Sequence, residues 1–570
     1  MYQEELEHIK AAIADEGKKR HTLQNLDCFV LDNSIRESTV GQLRGHTIEN
    51  KWKIYNEVKK CGFKNIIVAA FSHMTRVDDM FIKELMENGE DPSTLYAFSE
   101  VTACISKGVI DRETIPVGLA KMKEHGLINP IIEVDLANKS VNWESCSVKD
   151  ICDLVMKWIE WSRTNLSKDS QIFVNFRDFP IAMTQVPERV LATVDYFASL
   201  PQEKRLLGII FEDPTGDYLP EEVGAWTTAV RKLMNARKWN NGLLLVHVHK
   251  KWGLAETVQL ESLSCGADGI WASLAEEGAA MGHACSSITL TNLIRMGNKK
   301  VLERYNCTYL RKAAIAVTNI TTGDDPHPKQ VVYGERALDI SFDFGGIAGG
   351  RVGKGEFDIA KFFGEKPPVR ISTLASTAMI ITRLKELFGS NPQFNEQIAE
   401  KMKEVMLEDL RSNRKEEYMS EAGLGVLFDR SGGKLTKKMG DVIADMEAGT
   451  DFEKLLVAEV KERWDTWDLQ DEVQGDDAMQ FDSFYNGFMA PYFGCFKCDD
   501  TMAGLKAIDM DNDGLVEWKE FLAYLKWAIR EYKVKTADEL LSITFRKGII
   551  PAMRDELCQS EKIAVWKLVA

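Results

Sequence analysis

The chain has 570 residues, 45% hydrophobic and 28% charged, the balance of a folded protein of roughly three or four domains. Its net charge of −16 excludes nucleic acid and anionic membrane surfaces as partners on bulk electrostatics. No window approaches the roughly 18 apolar residues of a membrane span. Met1 to Lys19 is charged rather than signal-like, so a cytoplasmic setting with its 11 cysteines reduced is expected.

Residues 1–25 form a helical extension. From 26 to 298 short apolar runs alternate with amphipathic ones: 28–31, 65–70, 95–98, 130–134, 171–176, 207–211, 243–249 and 269–272. Each has the length and near-continuous apolarity of a parallel strand buried on both faces. Helical patterns lie between them, for example Thr47 to Lys60, Val148 to Thr164 and Pro187 to Leu200. Eight such units in this span have the size of an α/β fold of the (β/α)8 TIM-barrel type, although an open doubly wound sheet shares the rhythm. Residues 299–450 read as a linker followed by a helical subdomain, with 300–370 irregular and glycine-rich and with helices from Ser376 to Phe388 and Gln397 to Asn413. Residues 451–570 read as an all-α EF-hand domain. The lone pair Cys495 and Cys498 lacks two further ligands for a structural zinc and reads as ordinary thiols.

Residues 509–520 carry every position of a calcium loop. Calcium takes six to eight oxygens, which a 12-residue loop supplies at fixed places. Asp509, Asp511 and Asp513 stand at positions 1, 3 and 5, and Gly514 at position 6 permits the sharp turn. Leu515 offers its carbonyl, Glu517 acts through water, and Glu520 at position 12 binds with both oxygens. Val516 is the apolar residue that pairs with a neighbouring loop. That neighbour is expected at Asp468 to Ser483, where Ser483 stands in place of the bidentate glutamate and extra residues lengthen the loop. It reads as a degenerate hand that packs without binding calcium.

Within the barrel, His247-Val-His249 ends the seventh run. Residues i and i+2 of a strand share a face, so both imidazoles reach one metal inside the mouth. The segment from Asp32 to Arg36 and Glu37 ends the first run and brings a carboxylate and a cation to the same cavity. Glu100, Glu133, Arg177 and Asp213 also fall near strand ends and are candidates for its lining.

These landmarks resemble the DRE-TIM metallolyase superfamily, in particular its homocitrate synthase and isopropylmalate synthase branch. Asp32-Asn-Ser-Ile-Arg-Glu-Ser is similar to the family's opening D-x-T-x-R-[DE]-G. Glu212-Asp-Pro-Thr-Gly is similar to its D-T-x-G, and His247-Val-His-Lys-Lys-Trp-Gly-Leu-Ala to its H-x-H-x-x-x-G-x-A. Val332 to Leu338 resembles the segment that follows the barrel, and Ile371 to Gly389 the helical subdomain; the likeness spans about 26–420.

The resemblance implies a divalent cation, Mg2+, Mn2+ or Zn2+, held by Glu37, His247 and His249, with Arg36 stabilising a substrate enolate or carbonyl oxygen. It implies condensation of an acyl-CoA with a 2-oxo acid, or the related carbon–carbon lyase chemistry, and a homodimer. The chain departs from the family at Gly282-His283, where the family has Gly-Asn, so His283 is a further candidate ligand. It also lacks a histidine within 340–346, where the family has a catalytic one. Two readings stay open: a calcium-regulated acyltransferase, and a calcium sensor whose barrel is an inactive scaffold.

Overall fold

The computed structural model describes residues 2–36, 46–69, 71, 74, 76–101, 105–106, 109–137, 141–276, 278, 282–338, 357–365, 371–411, 418, 420–448, 451–468, 477–493, 502, 505–506, 508–509, 513–531, 534 and 536–543. Two expected ligands, Glu37 and Asp511, lie outside them, as do Cys495, Cys498 and residues 340–346. The chain divides into two compact units, Met1–Ser341 with Val352–Pro368, and Phe342–Arg351 with Val369–Ala570.

In the first unit eight parallel strands close into a barrel. They are β1 (Phe29–Asp32), β2 (Asn65–Ala69), β3 (Leu95–Glu100), β6 (Asn129–Asp135), β7 (Phe173–Arg177), β8 (Gly208–Asp213), β9 (Leu243–Val248) and β10 (Gly269–Ala272). A small hairpin, β4 (Ile105–Ser106) with β5 (Val109–Ile110), stands apart from the barrel sheet. The barrel closes where β1 pairs with β10 in the register Phe29↔Gly269 to Asp32↔Ala272, which settles the open-or-closed question in favour of the TIM barrel. Two glycines make the close approach feasible. A Cβ on Gly269 would lie 2.1 Å from the Phe29 carbonyl oxygen, and one on Gly208 would lie 2.2 Å from that of Leu243.

Alternate residues point inward and fill the barrel: Leu31, Ile67, Tyr96, Ile131, Phe173, Ile210 and Leu245 pack on one another. Their opposite neighbours pack outward against the helices. Helix ends follow local chemistry. Thr47 caps Ile48–Lys60 by accepting from the Asn50 amide at 3.1 Å. Ser147 and Asp150 form a reciprocal capping box at Val148–Asn165.

The stretch 300–370 is not simply irregular. It holds the helices Lys300–Arg304, Leu310–Thr322 and Ile359–Phe363. In the second, Leu310, Ala313, Ala314, Val317 and Thr321 are buried at helical spacing. Its β-branched residues weaken the propensity signal, and tertiary burial overrides it.

In the second unit the helices Thr377–Phe388, Glu396–Arg411 and Glu421–Arg430 pack around Ile380, Leu384, Met402, Leu427 and Phe428. Arg430 pairs with the buried Asp409 at 2.5 Å. A second core gathers Trp464, Phe484, Phe488, Phe521 and Leu525 from the helix Asp451–Asp468, the turns after it and the helix Trp518–Glu531. Beside it β11 (Ala478–Gln480) pairs antiparallel with β12 (Leu515–Glu517). Among the described residues no helix is long and apolar enough to cross a membrane.

One ion pair anchors the start of the barrel. Lys51 and Asp78 are both fully buried; the Lys51 Nζ lies 2.8 Å from Asp78 Oδ1 and donates to the Ile35 carbonyl at 2.9 Å. Burial lowers the Lys51 pKa, and Asp78 opposes that shift. Lys51→Ala strands a buried carboxylate and should cost about 3–5 kcal/mol in denaturant unfolding of the barrel. The double variant Lys51→Met/Asp78→Leu should recover most of that loss.

Candidate metal centre

The inward-facing parity of each strand decides what reaches the barrel mouth. On β9 the inward series Leu243, Leu245 continues to His247, and the bridge residue His249 follows. His283 arrives on a strap that adds to the same strand end. The Lys250 amide donates to the Gly282 carbonyl at 2.9 Å, and the Ala284 amide donates to that of Val248 at 3.0 Å. This antiparallel bridge sets His249 opposite His283, with their Nε2 atoms 3.1 Å apart.

One nitrogen from each of His247, His249 and His283 lies within 4.8 Å of the others. His247 and His283 are buried and His249 is half-buried. His247 stacks on Trp271 with ring centroids 4.1 Å apart. Both of its ring nitrogens are buried with no hydrogen-bond partner. Burial, the two other imidazoles and Arg36 hold it well below the usual histidine range. Burial and Arg36 bring His249 down to about 4. Both rings are therefore neutral near pH 7, the protonation state of a metal ligand. An orphaned imidazole beside two more fits a bound cation, since each unpaired buried nitrogen costs about 1–3 kcal/mol.

Arg36 follows β1 and is half-buried, its guanidinium 4.9 Å above the Phe98 ring. Burial lowers its pKa while Glu212, Glu133, Asp78 and Glu100 act in the opposite direction. A guanidinium stays charged under such opposing effects. Glu37, the next residue, lies outside the described residues.

Beside the histidines stands an acidic group, for Glu212 on β8 is in register with His247 on β9. Glu133 on β6 is buried, and the Asn175 amide on β7 donates to it at 3.3 Å and to Glu212 on β8 at 2.5 Å. Burial is the main cause that raises both carboxyls; for Glu133 the charge of Glu212 adds to it. Two interacting carboxyls of this kind titrate as a pair. Arg177 reaches Glu133 at 3.4 Å from the exposed rim.

Glu100 on β3 is in register with Glu133 and acts on Arg36, but it is exposed. Two other candidates stand elsewhere. Asp213 ties its own turn, accepting from the amides of Thr215 and Gly216 at 3.1 and 2.9 Å. Asp32 also faces away from the cavity: it accepts from the Ser34 amide and hydroxyl, both at 3.1 Å. Glu212, Asn175, Trp271 and Phe98 belong to the site and were not among the candidates. For Glu212, Asn175 and Phe98 the signal was parity, because each lies two residues along its strand from an apolar interior position.

In the second unit Asp509 accepts from the amides of Asp513 at 3.1 Å and Gly514 at 3.0 Å. Gly514 has φ +89, and Leu515 and Glu517 flank Val516 in β12. Glu520 is buried and accepts from the Glu517 amide at 3.0 Å. Val516 pairs with Met479. The preceding loop repeats the pattern: Asp477, at φ 62, stands before β11 as Gly514 stands before β12, and its amide donates to Asp468 at 3.3 Å. Nine positions separate Asp468 from Asp477, against five between Asp509 and Gly514, so the first loop carries an insertion. Ser483 occupies the place of Glu520.

No family model matches the chain, and no curated protein matches its sequence. Solved structures do. A Brucella melitensis HMG-CoA lyase is 15% identical over 52% of this chain and 99% of its own, with a TM-score of 0.40. An HMG-CoA lyase from Acenitobacter baumannii, in complex with coenzyme A and 3-methylmalate, is 15% identical over 54% of this chain and 94% of its own, at 0.38. The carboxyl transferase domain of Rhizobium etli pyruvate carboxylase, with pyruvate and biocytin, is 10% identical over 78% and 74%, at 0.36. The barrel assignment rests on the strand order of this chain rather than on these scores.

Burial pushes the Asp32 carboxyl up to about 7 despite its two Ser34 hydrogen bonds. Between about pH 4 and 7 the native state then holds a proton that the unfolded chain has released, so this group makes stability fall as pH rises through that window. Asp32→Asn removes the charge and keeps the bond accepted from the Ser34 amide, while its NH2 must donate to the Ser34 hydroxyl instead of accepting from it. It should gain roughly 2–4 kcal/mol over the parent at pH 8, with the two denaturation curves converging near pH 4.

Proposed function

We propose that the barrel is a divalent-metal enzyme that makes or breaks a carbon–carbon bond next to a carbonyl, and that the C-terminal hand binds calcium. The observation that carries the first part is the buried, unpartnered His247 beside His249 and His283. Glu37, next to Arg36, is the proposed carboxylate ligand. Three imidazoles favour Zn2+ or Mn2+ over Mg2+, which prefers an all-oxygen shell. When bound, the ion supplies Lewis acidity to a substrate carbonyl.

The chain's own groups account for the rest. Arg36, held over Phe98, places a fixed positive charge where an enolate oxygen develops. The Glu133–Glu212 pair, bridged by Asn175, stores one proton at the mouth for transfer to or from the substrate carbon. Arg177 at the rim is placed to receive a substrate carboxylate. The substrate class is a 2-oxo acid with an acyl-CoA in the synthase direction, or the corresponding hydroxy acid thioester in the lyase direction. The absence of a histidine within 340–346 favours the lyase or an inactive scaffold over the synthase.

Calcium binding rests on the complete ligand set from Asp509 to Glu520 and on the hydrogen bonds of Asp509. The loop from Asp468 to Ser483 is the silent partner, and regulation of the barrel is the proposed role of the pair. The protein is proposed to act in the cytoplasm as a homodimer.

Elemental analysis of the purified chain should find close to one transition-metal ion, with His247→Ala weakening its binding by about 100-fold or more. Absence of that metal, together with no thiol release from acetyl-CoA and 2-oxo acids and no thioester cleavage, would leave only the scaffold reading. Calcium titration should give one site per chain. Glu520→Gln should weaken that site at least about tenfold, as expected when a bidentate ligand loses its charge; an unchanged titration would remove the second hand from the proposal.

A further inference from the structure

A cavity of about 420 Å³ opens in the first unit, well within the size range of small-molecule sites. Its walls come from the end of the helix Ser286–Arg295, from the segment after the helix Leu310–Thr322, and from the chain around the helix Ile359–Phe363. Arg295, Lys329 and Arg336 line it, and among the described residues no carboxylate does. All three cations are exposed. Arg295 donates only to Asn292, one turn back at 2.7 Å, and among the described residues none of the three forms an ion pair.

The chain carries 87 acidic and 71 basic residues, and some exposed cations pair with carboxylates, as Lys60 does with Glu57 and Arg237 with Asp195. Three like charges gathered around one concavity repel one another unless an anion joins them. The remaining wall is apolar, with Phe357 and Ile359 offering a surface for a flat or hydrophobic group. The helix Ser286–Arg295 presents its C-terminal end here, which disfavours an anion, so the side-chain charges must supply the attraction.

We propose that this cavity binds an organic polyphosphate of the nucleoside diphosphate class. The phosphates lie among Arg295, Lys329 and Arg336, and the base rests on Phe357 and Ile359. Arginine is suited to both halves, because its planar fork matches phosphate oxygens in pairs. The site is separate from the histidine cluster, and its occupancy requires no metal there.

The test is calorimetric titration of the full chain in EDTA with ADP, with inorganic pyrophosphate and with orthophosphate. ADP should bind saturably, one per chain, and pyrophosphate more weakly. The double variant Arg295→Ser/Arg336→Ser should weaken both at least about tenfold, since each removes a charge-assisted contact. Phe357→Ala should weaken ADP while leaving pyrophosphate within twofold, which separates a nucleotide site from a bare phosphate site. Near-ultraviolet circular dichroism shows that the variants remain folded. The proposal is overturned by no saturable ADP binding up to millimolar concentration. ADP affinity within twofold of the parent in the double variant, or in Phe357→Ala, overturns it equally.

Discussion

Closing eight strands into a barrel leaves each inward position no choice of face. Because side chains alternate strictly, the residue that fills the middle of the barrel dictates the residue two steps later that faces the mouth. Ile131 dictates Glu133, Phe173 dictates Asn175, Ile210 dictates Glu212, and Leu245 dictates His247. The apolar plug below is the floor of the polar cluster above. It keeps water out from beneath and holds the dielectric low around the acidic pair and the imidazoles. The shifted ionisation of these groups follows from that floor and from one another, with no need for strained backbone.

The mouth interleaves two kinds of group. His247 and His249 are held neutral, Glu212 stands in register beside His247, and Glu133 lies one strand beyond Asn175; Arg36 is the strong cation acting on imidazoles and carboxyls alike. Each kind sustains the other. The guanidinium disfavours protonation of His247 and His249, and the carboxylates keep the guanidinium charged in spite of its burial. Lys51 and Asp78 lie behind this arrangement, fixing the Ile35 carbonyl and with it the approach to Arg36. A second charge pair, fully buried, thus supports the placement of the first.

The barrel was legible because buried parallel strands write themselves as short apolar runs at even spacing. The run 269–272 coincides with β10, and the others with their strands to within one or two residues. The helix Leu310–Thr322 was not legible, because glycine-rich sequence follows it and its own threonines and isoleucines are poor helix formers. Within the site, paired histidines are a conspicuous pattern, and His283 stood out as a departure from Gly-Asn. Asn175 is a single polar residue in an apolar run and Glu212 follows the end of one, and only the interior parity, known once the register is known, separates them from outward residues such as Asp32 and Asp213. In the second unit the pairing of Met479 with Val516 is a long-range contact that a one-dimensional reading reaches only through analogy between the two loops.

The helix Ser286–Arg295 begins three residues after His283 and ends at Arg295. Ten helical residues make a rod of about 15 Å. Such a rod bends little, so its two ends behave as opposite arms of a balance. The strap at one end is clamped to β9 by two backbone hydrogen bonds, and the other end borders an open cavity. One short helix therefore fixes the spacing between an imidazole of the cluster and the rim of the cavity.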